Sequence, residues 1–318
     1  MDSTFVVGID VGGQTSKLGV VDARGAVLAQ TVIRTDTYSE VEPYIAELAE
    51  AVKKIIRESG TEGKVRGIGV GAPNGNYYTG TIENAPNLLW GRQRVEFAKL
   101  LSEAMDGLPV ALTNDANAAA VGEMTYGAAR GMKNFIMITL GTGVGSGIVI
   151  NGEVVYGHDG FAGELGHVAA VRNNGRTCGC GKTGCLETYA SATGVARTAR
   201  EWLELSDEPS VLRSLDSIAS KDVYEAAKEG DKLALKIFGF TGKILGRSFA
   251  DFIAFSSPEA IVLFGGLARA KEFLNEPIVE AMNANVLPLW RDKVKVVYSQ
   301  LKESDAAILG ASALAWEL

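Results

Sequence analysis

Residues 5–21 read FVVGIDVGGQTSKLGVV, and residues 134–150 read NFIMITLGTGVGSGIVI. Each stretch is an apolar run, a glycine-rich turn and a second apolar run, a pattern typical of two buried strands joined by a tight turn. With a shift of 129 positions, Ile9-Asp10-Val11-Gly12 falls on Ile138-Thr139-Leu140-Gly141. The repeat predicts two similar α/β lobes, each built around a glycine hairpin.

The glycine turns are candidates for phosphate binding. A turn without side chains lets phosphate oxygens approach backbone N–H groups, and Asp10, at the end of the first strand, is placed to hold a magnesium ion or its water shell. A plain hairpin explains the same residues, so both interpretations stay open here. Neither turn is a Rossmann motif, because no G-x-G-x-x-G leads directly into a helix.

Apolar periodicity predicts the remaining elements. The first half carries strands over 26–33, 65–71 and 109–112 and helices over 40–59, 95–105 and 116–129. The second half carries strands over 260–264 and 294–297 and helices over 190–205, 222–228, 231–255, 271–282 and 305–316. Asn114-Asp115 and Gly265-Gly266 both follow a strand directly. In open α/β sheets ligands bind at this end of the strands.

The three cysteines of the chain, Cys178, Cys180 and Cys185, lie within eight positions, and His167 precedes them. Together they predict a Cys₃His zinc site, structural because four protein ligands leave no position for water. Three reduced thiols without a metal are the alternative. A disulfide is disfavoured, because it pairs only two of three cysteines and no signal peptide is recognisable. Gly181-Lys182-Thr183 is not a P-loop, because Arg176 stands where that motif needs glycine.

Length and charge narrow the class of protein. A chain of 318 residues predicts two domains. The net charge of −7 argues against a nucleic-acid surface, which needs a basic face. No apolar run approaches the roughly 18 to 20 residues that a membrane span needs. We therefore expect a cytoplasmic protein that binds neither nucleic acid nor membrane.

Six motifs follow one another along the chain: Asp10-Val11-Gly12-Gly13, Asn114-Asp115, Gly141-Thr142-Gly143, Gly163-Glu164-Leu165-Gly166-His167, Cys178-Gly179-Cys180 through Gly184-Cys185-Leu186-Glu187, and Gly265-Gly266. In this order they resemble the ROK family of sugar kinases, most closely its bacterial glucokinase branch, over essentially the full length. The resemblance implies a two-lobed actin-like ATPase fold, which is ribonuclease H-like and hexokinase-like, with ATP in a central cleft. The lobes are expected at 1–117 and 118–303, with a last helix over 304–318 packing back on the first.

The resemblance also implies a reaction, the ATP-dependent phosphorylation of a hexose with Mg²⁺, most simply glucose to glucose 6-phosphate in glycolysis. Asp115 is implied as the catalytic base, and His167 as a ligand of both zinc and sugar. The implied sugar-binding residues are Asn74, Asn87, Asn114, Asp115, Glu164, His167 and Glu187. The implied nucleotide-binding residues are Asp10, Gly12, Gly13, Gln14, Thr15, Gly141, Thr142, Gly143, Gly265, Gly266 and Leu267.

Several alternatives stay open beside this interpretation. Fructose, mannose, allose and N-acetylmannosamine are handled by related kinases, and polyphosphate is a conceivable donor. Gln14 stands where the family usually has threonine, which puts the donor preference in doubt. Asp115 is also explained as a helix cap, and Glu164 and Glu187 as solvated loop carboxylates. A sugar-sensing repressor is disfavoured, because only four residues precede Phe5. The resemblance suggests a homodimer or a dimer of dimers.

Overall fold

The computed structural model describes residues 4–318, which divide into two compact units. Unit 1 comprises the described residues up to Met132 together with Glu153–Gly163 and Gln300–Leu318. Unit 2 comprises Lys133–Gly152 and Glu164–Ser299. This division differs from the expected one at 117/118, because residues 118–132 and 153–163 pack with the first unit rather than with the second.

The strands of unit 1 are β1 (Phe5–Val11), β2 (Thr15–Asp22), β3 (Val27–Arg34), β4 (Val65–Gly71), β5 (Gly75–Asn76), β6 (Thr81–Ile82), β7 (Val110–Thr113) and β10 (Glu153–Val154). Five of them form a sheet of order β3-β2-β1-β4-β7. Its first three strands form an antiparallel meander, while β4 and β7 run parallel to β1. The predicted meander is confirmed. A two-stranded ribbon of β5 and β6 was not predicted, since strands of two residues carry no period.

The helices of unit 1 are α1 (Val41–Glu58), α2 (Phe97–Ala104), α3 (Asp115–Thr125) and α9 (Glu303–Leu314). Helices α1 and α2 share one apolar core with the sheet, in which Tyr44, Trp90 and Phe97 stack. Helix α9 packs against β1 and β4. Gly8 and Gly69 make this approach possible, because a Cβ at either position would overlap the backbone of α9.

Unit 2 repeats this plan. Its strands are β8 (Phe135–Leu140), β9 (Val144–Ile150), β11 (Ala260–Phe264) and β12 (Lys295–Tyr298). Strand β8 pairs with β9 in an antiparallel hairpin, while β8, β11 and β12 are parallel. The order β9-β8-β11-β12 corresponds to β2-β1-β4-β7 of unit 1. The repeat predicted from the two glycine hairpins is therefore confirmed.

The helices of unit 2 are α4 (Glu187–Ala190), α5 (Ala192–Leu205), α6 (Ser220–Lys228), α7 (Lys232–Ser256) and α8 (Lys271–Asn285). The helix predicted over 190–205 begins only at Ala192, because Ser191 caps α5 by accepting a hydrogen bond from the N–H of Gly194 at 3.0 Å. Within the described residues, none of the helices has both the length and the apolar character to cross a membrane.

Candidate functional site

Asp10 and Asp115 lie close together at the carboxyl ends of the parallel strands in the unit 1 sheet. Asp10 pairs with Gly71 of β4, and Gly71 pairs with Thr113 of β7, so the three residues lie in register at the carboxyl ends of parallel strands. Helix α3 then starts at Asp115. A Cβ on Gly71 would lie 3.5 Å from the Cα of Asp115, so the first turn of α3 sits close over the end of β4.

The cap of α3 is Asn114, whose Oδ1 accepts a hydrogen bond from the N–H of Asn117 at 2.6 Å. The capping role suggested for Asp115 therefore belongs to its neighbour. The Asp115 carboxylate accepts a hydrogen bond from the N–H of Ala116 at 2.8 Å, and the residue is exposed. Its placement leaves Asp115 available for chemistry.

Asp10 and Asp115 both have raised pKa values. Burial, and then the negative charge of Asp115, raise the pKa of Asp10 to about 6, while Lys17 acts in the opposite direction. Desolvation of the carboxylate by the surrounding protein raises the pKa of Asp115, although the backbone N–H groups of Ala116 and of Asp115 itself partly offset this. Two neighbouring carboxylates repel each other when both are ionised. A proton or a hard cation such as Mg²⁺ stabilises such a pair.

The glycine turn between β1 and β2 is held by its own backbone. The N–H of Gly12 donates to the carbonyl of Thr15 at 3.1 Å, and the N–H of Thr35 donates to the carbonyl of Gln14 at 2.9 Å. A Cβ on Gly13 would lie 2.8 Å from the carbonyl oxygen of Asn87. The structure thus brings the loop of Asn87 against the predicted phosphate turn.

Asn74 lies in a loop after β4 with a φ of 51°. Its amide group donates to the carbonyls of Glu83 and Asn84 at 3.0 and 2.9 Å. Both donors are used to fasten a neighbouring loop, so only the amide oxygen remains for a ligand.

The second glycine turn, Gly141–Gly143, is tied to the start of α5. The N–H of Ala192 donates to the carbonyl of Gly141, and the hydroxyl of Thr193 donates to the carbonyl of Thr142, both at 2.8 Å. Sequence reasoning missed Thr193. A hydroxyl in the first turn of a helix was the only local signal, and it is a common one.

Gly265 and Gly266 lie beside this turn, because β11 pairs with β8. Gly265 has a φ of 103°, and a Cβ there would lie 2.6 Å from the carbonyl oxygen of Leu140. A Cβ on Gly266 meets nothing within 4 Å. Leu267 is buried, so its side chain belongs to the core and only its backbone is open to a nucleotide.

Three predicted sugar-binding residues surround the first strand residues of β9. The N–H of Val144 donates to Oε2 of Glu187 at 3.0 Å. The turn that follows Glu164 and contains His167 is fixed by the N–H of Leu165, which donates to the Ser146 hydroxyl at 3.0 Å. Glu187 is half-buried and hydrogen-bonded, which argues against a solvated loop carboxylate, while Glu164 is exposed.

The ligand atoms of His167, Cys178, Cys180 and Cys185 all lie within 4.8 Å of one another. The sulfurs of Cys180 and Cys185 are 3.7 Å apart, as are the Cys178 sulfur and Nδ1 of His167. These are free thiols, too far apart for a disulfide. A tetrahedral ion with Zn–S bonds of about 2.3 Å separates two sulfurs by about 3.8 Å. The residues therefore fit zinc.

The cysteine cluster is also connected to Glu187, since its Oε1 lies 3.8 Å from the Cys178 sulfur. Burial and the neighbouring thiols raise the pKa of Cys185 to about 12, and burial raises the pKa of Cys178. The backbone N–H of Lys182 lowers the pKa of Cys180. Bringing such thiols together is unfavourable until a cation stabilises the thiolates.

Residues 6–317 match the model of the ROK family. The chain is 38% identical over 315 residues to a glucokinase of Halalkalibacterium halodurans, covering 98% of this chain and 94% of that protein. A crystal structure of a ROK family glucokinase from Streptomyces griseus, in complex with glucose and AMPPNP, aligns with a TM-score of 0.80 at 32% identity, covering 99% and 100% of the two chains. A ROK hexokinase from Thermus thermophilus gives a TM-score of 0.83 at 31% identity, over 99% and 98%.

From these full-length similarities, the chain has the two-lobed, actin-like ATPase fold of the hexokinase type. The chain belongs to the ROK family. The family and the fold class predicted from the six motifs are both confirmed.

Proposed function

We propose that this protein is an ATP-dependent glucokinase, which transfers the γ-phosphoryl group of ATP to a hydroxyl of glucose. Glucokinases are among its full-length relatives, and the Streptomyces griseus structure holds glucose and AMPPNP. The observation that carries the chemistry is that Asp10 and Asp115 lie close together at the carboxyl ends of the parallel strands in the unit 1 sheet.

Asp115 is the general base in this proposal. A sugar hydroxyl is a poor nucleophile at neutral pH, so the reaction gains from a carboxylate that takes its proton as the bond to phosphorus forms. A raised pKa suits this role, because it makes the carboxylate a better proton acceptor. Asp10 would hold Mg²⁺ or its water shell, and a bound ion would supply positive charge to neutralise the phosphates.

The other predicted roles follow the same scheme. Glu164, His167 and Glu187 bind sugar hydroxyls, together with Asn114, Asn87 and the remaining amide oxygen of Asn74. Backbone N–H groups of the two glycine turns bind phosphates, and Gly265-Gly266 lie against the adenosine. Zinc on His167, Cys178, Cys180 and Cys185 fixes the orientation of the His167 ring. The three free thiols suit a reducing compartment, and we place the protein in the cytoplasm.

A coupled ADP-release assay tests the proposal. With ATP as donor, it compares glucose with fructose, mannose, allose and N-acetylmannosamine. Because polyphosphate releases no ADP, the formation of glucose 6-phosphate is measured instead to compare ATP with polyphosphate. We expect the highest kcat/KM for glucose with ATP. Phosphorylation of none of these sugars would contradict the function, and preference for another hexose would correct the substrate.

The family resemblance also leads us to propose a homodimer or a dimer of dimers. Light scattering of the purified protein, with and without glucose, measures its mass against that of a 33.6 kDa chain. A monomer at all concentrations would contradict this expectation.

Gly265 and Gly266 give a matched pair of substitutions for the adenosine site. Because Gly266 has open space around it, Gly266→Ala is expected to leave stability unchanged while raising the KM for ATP about tenfold by blocking close approach. Gly265→Ala is expected to lower the free energy of unfolding by about 1–3 kcal/mol, because of its positive φ and its contact with Leu140. An unchanged KM for ATP in Gly266→Ala would move the adenosine elsewhere.

Asp10→Asn is expected to stabilise the protein at pH 7 in magnesium-free buffer. The folded-state pKa of Asp10 is raised to about 6, so the protonated form is favoured, and the corresponding stability is lost as pH rises through about 6. Asparagine removes this loss, which amounts to at most about 3 kcal/mol. Denaturant unfolding at pH 4 and pH 7 measures it. A gain of the same size at both pH values would contradict the assignment.

A further inference from the structure

Arg176 lies two positions before Cys178, the first cysteine of the cysteine cluster, and only 8% of its side chain is exposed. Its Nε and Nη2 donate to Oε2 of Glu201 at 3.0 and 2.5 Å. Its Nη1 donates to the carbonyl of Thr188 at 2.8 Å, and Nη2 also donates to the Thr198 hydroxyl at 2.9 Å. The guanidinium is thus fully engaged inside unit 2.

Tyr189 adds two further contacts to Arg176. The guanidinium carbon lies 4.5 Å from the centre of the Tyr189 ring, and the backbone N–H of Arg176 donates to the Tyr189 hydroxyl at 2.8 Å. Such a planar fork, stacked on one residue and bonded to others, is a geometry that lysine does not reproduce.

The contacts of Arg176 join three segments of unit 2 around the proposed sugar-binding residue Glu187. Arg176 itself leads into Cys178, Thr188 and Tyr189 directly follow Glu187, and Glu201 lies on α5. A second arginine, Arg197, also donates to the Glu201 carboxylate, at 2.7 Å, and to the carbonyl of Thr177 at 3.3 Å. Burial acts against the Glu201 carboxylate, but bonds from Arg197 and Arg176 lower its pKa.

We infer that Arg176 is a positioning residue for sugar binding: by joining the cysteine loop to the residues after Glu187, it fixes the Glu187 carboxylate where a sugar hydroxyl meets it. This inference rests on the proposed sugar-binding role of Glu187. Displacement of a binding group by about 1 Å costs a reaction roughly 10²-fold, so a network of this kind controls affinity without touching the ligand.

The test compares Arg176→Met, Arg176→Lys and Glu201→Gln by glucose titration calorimetry and by steady-state kinetics. Arg176→Met is expected to weaken glucose binding about tenfold or more, with KM for ATP changed less than about twofold. Arg176→Lys keeps the charge but not the fork, and is expected to lie between this variant and wild type. Glu201→Gln, which keeps the shape of the partner, shows a smaller loss in the same direction.

Arg213→Met is the matched control. Arg213 also donates to backbone carbonyls of unit 2, those of Leu203, Ser206 and Glu208, but it is exposed and none of these residues borders Glu187. We expect it to lower the melting temperature without changing glucose affinity.

Two outcomes separate this inference from the proposed function. If Glu187→Gln weakens glucose binding while Arg176→Met and Glu201→Gln change only stability, Arg176 is structural and the inference is wrong. If Glu187→Gln leaves glucose binding unchanged, the role of Glu187 itself is wrong, and the inference is lost with it. An equal loss of glucose and ATP affinity in Arg176→Met would also overturn selective positioning.

Discussion

Asp115→Asn is expected to lower kcat by about 10²- to 10⁴-fold, the usual cost of losing a general base. Asparagine has nearly the same size but does not accept the proton of a sugar hydroxyl. The cap of α3 is Asn114, so the helix keeps its start. The variant also removes a negative charge beside Asp10, so it is expected to be at least as stable as wild type at pH 7.

The pH profile of the wild type gives an independent measurement. The base works when ionised, so kcat/KM falls as pH falls through its pKa. Because the pKa of Asp115 is raised, this acid limb is expected above the range of an ordinary aspartate, near 3.9. An acid limb at or below that range would contradict the assignment.

Asp22→Asn is the matched control for Asp115→Asn. Asp22 also accepts backbone hydrogen bonds, from the N–H groups of Arg24 and Ala26 at 2.9 and 2.8 Å. It lies at the end of β2 that is away from the glycine turn. Its kcat is expected to match wild type. If Asp115→Asn instead lost stability while activity per folded molecule stayed the same, the base would have to be sought at Glu164 or Glu187.

Removal of zinc is the second change with a large expected effect. We expect one zinc ion per chain, and Cys180→Ser or a strong chelator should lower the free energy of unfolding by several kcal/mol and weaken glucose binding. Two residues connect the metal to the sugar. His167 is a predicted ligand of both zinc and sugar, and Oε1 of Glu187 lies 3.8 Å from the Cys178 sulfur. Affinity for ATP is expected to change less.

Elemental analysis, thermal unfolding and glucose titration measure these effects. Thr183→Ala is the control, because Thr183 lies on the same loop and offers no ligand to the cluster. Protein purified without added zinc that held no metal and three freely titratable thiols would overturn the zinc site. A zinc-free protein that bound glucose normally would leave zinc with a role in folding only.

The sequence determined the features that depend on neighbouring residues. The glycine hairpins at 10–15 and 141–143 were readable because apolar runs flank a turn without side chains, and their similarity predicted two repeated sheets. The proposed zinc ligands could be predicted because the three cysteines lie within one short loop. Single-residue detail at helix starts was less certain, as Asn114 rather than Asp115 proved to be the cap.

Only the tertiary structure decided the features that join distant segments. The charge of Asp115 raises the pKa of Asp10 because β4 lies between β1 and β7 in the sheet, and no local pattern encodes that order. Gly8 and Gly69 look like ordinary strand glycines until α9, from the far end of the chain, packs on them. From the sequence, Arg176 served only to exclude a P-loop. Its structural role was not predicted, because its partners on α4 and α5 lie 12 to 25 positions away. A side chain's role follows from what surrounds it in space, and for these residues the surroundings come from elsewhere in the chain.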